Sequence, residues 1–121
     1  MVRRVLHAVA LATVVVLAMA GMAHADGYTS DDTLAAIDEA SATSGVSHAW
    51  LYSIVRCETG GTFNPYAIGK LGEKGAAQLA SFGELPRFYA YGYNDPFSPY
   101  QAVGFLAIRL NEGGRRAWSC A

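Results

Sequence analysis

The chain has 121 residues, with nine Lys and Arg against ten Asp and Glu, and 52% of it is hydrophobic. That is enough for one small domain with little core to spare. Without a basic run it lacks the electrostatic footprint of a nucleic-acid binder, and charge alone would not hold it to an anionic polymer.

In chain order, Arg3 and Arg4 form a basic start, residues 5–20 are almost wholly apolar, and Ala23-His24-Ala25 is a small-x-small cleavage pattern. This predicts a secretory signal peptide over residues 1–25. The alternative, an uncleaved anchor, is weaker because the run falls short of the ~20 residues of a membrane span. Cleavage would leave residues 26–121, 96 in all, carrying seven basic and ten acidic side chains, a net charge of −3. The expected product is exported, extracellular or periplasmic, with no stable membrane insertion. Export makes a disulfide possible, and Cys57 and Cys120 are the two cysteines available. Paired, they would tie the helix that carries Glu58 to the chain end; the alternative is two free buried thiols. His48 is the one histidine left after processing. No metal and no organic cofactor is expected.

Residues 26–30 read as a loose leader. Ser30 is placed to cap a weak helix to about Ala40, with Asp31 and Asp32 in the first turn where the helix dipole favours acids. Residues 41–45 read as a connection. Ser47 caps a second helix to about Glu58, in which Trp50, Leu51, Ile54, Val55 and Glu58 recur at helical spacing. Glu58 therefore shares the apolar face. A carboxylate there is partly desolvated and its pKa should rise, as a general acid requires. A helix-end Glu that reaches water fits the same periodicity.

Residues 59–75 contain five glycines and form either an irregular loop or a short hairpin, with a tight turn at Gly72-Glu73-Lys74-Gly75. Ala76 should begin a short helix to about Ala80. Residues 81–99 are rich in Phe and Tyr, which either line a cleft or fill the core. Ser98-Pro99 is a cap followed by proline at the first helical position, opening a helix to Asn111 that Gly113-Gly114 ends. A last turn follows with Trp118 inward. No segment has a period of two, so the domain reads as mainly α.

Within this frame, residues 58–78 resemble the catalytic signature of the soluble lytic transglycosylase family of the lysozyme-like superfamily. The resemblance is carried by Glu58-Thr59, Phe63-Asn64-Pro65, Ala67, Gly72, Gly75 and Gln78. The ending from Asp95-Pro96-Phe97-Ser98-Pro99-Tyr100 to Trp118-Ser119-Cys120 resembles a small secreted branch of that group. The resemblance implies a lysozyme-like small helical domain with a catalytic cleft for peptidoglycan glycan strands. It implies Glu58 as sole acid and base, Gln78 as a substrate contact, and Thr59, Phe63 and Tyr91 as further contacts. The product would be a 1,6-anhydro-muramyl end.

The chain departs from the pattern in several places. Two extra residues lengthen the loop between Glu58 and Asn64. Gly69 stands where the family has Ser, Glu73 where it has a small residue, and Ala76-Ala77 where it has a larger pair. The family's closing Ala-Tyr-Asn-Ala-Gly segment is missing, with Tyr91 or Tyr93 as the stand-in for its Tyr. Two other readings follow: a hydrolytic muramidase, or a non-catalytic wall-binding module. Hydrolysis would need a second carboxylate from Glu73, Glu84 or Asp95. Asp95 reads as a turn cap, and Glu73 and Glu84 as solvated.

Overall fold

A computed structural model describes residues 27–121, and the predicted signal peptide lies outside the described residues. The described part is mainly helical: α1 (Ser30–Ser44), α2 (His48–Glu58), α3 (Glu84–Ala90), α4 (Pro99–Asn111) and a 3₁₀ turn at Arg115–Ala117. None of these helices is long and apolar enough to cross a membrane.

The cap of α1 is Thr29, not Ser30. Its hydroxyl accepts from Asp32 N–H while Asp32 reaches back to the Thr29 N–H. The helix also outlasts the predicted end at Ala40. Thr43 Oγ1 donates to Glu39 O at 2.9 Å and Ser44 Oγ to Ala40 O at 2.6 Å. Those hydroxyls turn back onto carbonyls one turn earlier, so the small polar run stays helical. Gly45, at φ 77°, then ends it in a left-handed cap that glycine adopts without a Cβ penalty. The predicted caps of the next long helices hold: Ser47 accepts from Trp50 N–H and Ser98 from Gln101 N–H, with Pro99 at the start of α4.

Helix α4 is the centre. Ala102, Val103, Phe105, Leu106, Ala107 and Leu110 are all buried. Helix α1 packs chiefly on α4 and less on α2. Ile37, Leu51, Ile54, Val55 and Phe88 close the core around it, each fully buried. Phe88 stacks on Tyr93 at 5.1 Å between ring centres and meets Phe105 edge-on at 5.4 Å. The aromatic segment thus supplies core through α3. Helix α3 was not foreseen, because seven residues with a proline in the first turn are too few to show a period.

Among the described residues there is no strand, only isolated antiparallel bridges joining Lys74 to Ile68 and to Leu79. Residues 59–75 are therefore an ordered, turn-rich loop. Residues 76–80 are a turn closing on the Lys74–Leu79 bridge, where a short helix was expected. Gly75 explains the tightness: its φ is 79°, and a Cβ there would collide with the Pro96 carbonyl.

Cys57 and Cys120 form a disulfide with their Cα atoms 5.9 Å apart, as the cysteine count allowed. It pins the chain end to the last turn of α2.

Candidate functional site

Glu58 is the last residue of α2 and continues the face that buries Leu51, Ile54 and Val55. It is half-buried. Burial pushes its carboxyl above the ordinary glutamate value, and the Glu73 charge pushes the same way. The backbone amide of Cys120 opposes part of that shift. The disulfide beside Glu58 is what carries this amide there.

Gln78 faces Glu58 from the loop. Among the described residues it is one of two non-glycine residues with a positive φ, at 49°, a conformation that costs on the order of 1–3 kcal/mol. Its side-chain amide offsets the cost, with Nε2 donating to Ala67 O at 3.1 Å and to Gly75 O at 2.9 Å. Asn64 and Pro65 hold the loop's start, Asn64 Oδ1 accepting from Tyr66 N–H at 2.9 Å and Pro65 fully buried.

The remaining wall is the chain end. Trp118 is 4% exposed, and its indole N–H donates to Ala77 O at 2.7 Å, fixing the tail against the turn that carries Gln78. Ala76 and Ala77 are fully buried beneath it. Between these parts lies a groove of about 780 Å³, lined by Glu58, Gly69, Lys70, Leu71, Glu73, Gln78, Ala80, Phe82 and residues 116–119. A smaller hollow of about 220 Å³ shares Gln78, Ala80, Phe82 and Trp118 with it and extends towards Glu84. Leu71 and Phe82, 70% and 77% exposed, give the groove apolar rims, and Lys70 and Arg116 give it cationic ones.

The structure thus brings Glu58 and Gln78 together and places the other expected contacts elsewhere. Thr59 is buried; its hydroxyl donates to Val55 O at 2.7 Å and accepts from Phe63 N–H at 2.9 Å, so it locks the end of α2. Phe63 packs on Tyr52, ring centres 4.9 Å apart, on the core side of the loop. Tyr91 donates to the Glu112 carboxylate at 2.7 Å and lies edge-on to Phe105. None of the three lines the groove.

The other carboxylates divide as well. Asp95 caps a turn, accepting from Phe97 N–H at 2.9 Å, as expected. Glu84 is not solvated: its side chain is 12% exposed, held by Arg109 at 2.9 Å and Arg87 at 3.0 Å. Glu73 is half-buried and lines the groove, where solvent was expected to take it.

A second hollow, about 490 Å³, lies between Tyr52, Ser53, Arg56, Cys57 and the Gly60-Gly61 turn. No carboxylate faces it, so the acid–base chemistry belongs to the larger groove. Among the described residues no three His, Cys, Asp or Glu side chains gather as metal ligands.

Residues 116–119, Lys70 and Leu71 line the groove without being marked by the sequence as site residues. For the tail the signal was present, since a disulfide next to Glu58 carries the residues before Cys120 to the same place. Glu73 is named in the sequence as one of three candidate second carboxylates but read there as solvated; its inward direction depends on how the loop folds. No protein-family model, curated protein or solved structure matches the chain.

Proposed function

We propose that this domain is a lytic transglycosylase that cleaves the β-1,4 bond between N-acetylmuramic acid and N-acetylglucosamine in peptidoglycan, on a lysozyme-like fold. The observation that carries the reading is a half-buried glutamic acid of raised pKa sharing a groove with Gln78. The resemblance over residues 58–78 points to the same pair.

Glu58 donates its proton to the glycosidic oxygen as the C1–O bond breaks. The resulting carboxylate takes the proton of the muramic C6 hydroxyl as O6 closes on C1. The ring closes as a 1,6-anhydro sugar and Glu58 is protonated again, with no water consumed. Burial serves the first half, because it keeps the proton on at higher pH than an exposed Glu would. The Cys120 N–H serves the second, because it stabilises the carboxylate that must form. Phe82 and Leu71 offer apolar surface to sugar faces, and Gln78 a polar contact.

The test is mass spectrometry of products released from purified peptidoglycan by the oxidised protein, beside Glu58→Gln. Anhydromuramyl ends that fall by ~10²-fold or more in the variant are expected. No soluble product from a folded, disulfide-bonded sample on several wall types would overturn catalysis and leave a wall-binding module.

A further inference from the structure

Position 69 is glycine for a reason the groove makes plain. A Cβ there would collide with Glu73 Oε2 and with Gln78 Oε1. The Glu73 side chain is therefore folded inward over Gly69, with its carboxylate beside the Gln78 amide oxygen. Leu71 N–H reaches Glu73 Oε2 at 3.4 Å, a long contact that leaves the carboxylate's acceptor capacity largely open. The orientation of the Gln78 amide is forced, because both groups at its Nε2 are carbonyls, Ala67 O and Gly75 O. Its oxygen must point the other way, towards Glu73.

Two acceptors side by side want a donor between them. A sugar hydroxyl or an acetamido N–H has one hydrogen and would satisfy one of the two. A water molecule has two hydrogens, gives one to each oxygen, and keeps its lone pairs directed away from both.

We propose that Glu73 is a second catalytic carboxylate, which with Gln78 Oε1 holds a water for attack and adds a hydrolytic activity to the ring-closing one. The inference rests on the reading that Glu58 breaks a glycosidic bond in this groove. In the added step the water oxygen forms a bond to C1 and passes a proton to Glu73. The C1–O bond to the leaving sugar breaks, and that oxygen takes the proton of Glu58. The product is a reducing end in place of an anhydro end, and solvent returns Glu73 and Glu58 to their starting states. Glu73 is thus the residue that divides the bond-breaking event between two products.

The experiment compares reducing with anhydromuramyl ends, by mass, for the parent, Glu73→Gln and Gly69→Ser, all oxidised and checked by thermal melting. The serine keeps the Glu73 charge but takes the space its carboxylate occupies, so it tests position independently of charge. The parent is expected to yield both ends. In either variant the ratio of reducing to anhydro ends should fall at least ~10-fold, since a positioned general base contributes ~10²–10⁴-fold. A parent that yields anhydro ends alone overturns the inference and leaves the transglycosylase reading standing. So does a ratio that both variants leave unchanged. A parent that yields neither product overturns the reading of Glu58 and this inference with it.

Discussion

The helices and the groove are held together in different ways. The helical region is stabilised by burial spread over many side chains, with α4 at its centre and several residues at zero exposure. The groove wall opposite Glu58 adds specific links to its backbone bridges and buried alanines: one disulfide, one indole hydrogen bond, and the two donated bonds of Gln78. Dispersed apolar contact degrades gradually when one member is lost, whereas each of these links joins two particular parts of the wall. The chemistry sits where these two kinds of order meet, at the last residue of α2.

Phe105→Ala should have the largest effect on stability, about 3–5 kcal/mol. The ring is fully buried and touches Phe88, Tyr91, Tyr93 and, at 6.5 Å between ring centres, Trp118. Chemical denaturation should show both regions failing together, since Phe105 is where the tail leans on the helices. A tail that stays protected in that variant would break the comparison.

Replacing both Cys57 and Cys120 by Ser should cost roughly 2–4 kcal/mol, because a cross-link over 63 residues no longer restrains the unfolded chain. The sharper expectation is regional. Hydrogen exchange at residues 116–120 should accelerate far more than in α4, and bond cleavage should be lost before helical circular dichroism is. Uniform loosening would mean the groove is not a separate unit.

Trp118→Phe keeps the apolar ring and removes the donor to Ala77 O. A buried carbonyl left unpaired costs about 1–3 kcal/mol. Melting should register that cost, and activity should fall further than stability does, because the lost bond joins two groove walls.

The smallest effect is one of sign. The folded Glu58 carboxyl is raised, first by burial and then by Glu73, so over the pH range between its unfolded and folded values the folded chain binds more protons than the unfolded one. Stability therefore falls as pH rises through that range. Glu58→Gln should match the parent in acid and exceed it in stability above the range, as urea titrations across pH would reveal. A variant less stable than the parent at neutral pH would mean the Cys120 N–H outweighs burial. On the activity side, kcat/KM should decline on an alkaline limb placed above the ordinary glutamate range.

What the residues reveal in advance follows the same division. Helices α2 and α4 are legible because a cap, an apolar face and a stop signal agree within a few positions. The end of α1 is not, because Ser and Thr can bond a carbonyl one turn back or leave the helix, and local sequence does not say which. Glu58 is legible as a carboxylate on an apolar face. Gln78 is visible only through the resemblance, since nothing in the composition of a turn-rich loop marks one amide over another. Thr59, Phe63 and Tyr91 show the reverse case: residue types suited to a site whose side chains are occupied by backbone, ring and carboxylate partners.

By itself, then, the sequence determined a mainly helical domain, an acid at the end of an apolar helix face, and two cysteines available to tie the chain end beside it. Those features depend on spacings of one to a few residues, which a helix converts directly into a face. Only the tertiary structure decided that Glu73 turns inward over Gly69, that Glu84 is held between two arginines, and that residues 116–119 complete the groove. Each of those outcomes is set by what occupies the neighbouring space, as with Trp118 and Ala77, 41 positions apart, and no local period records it.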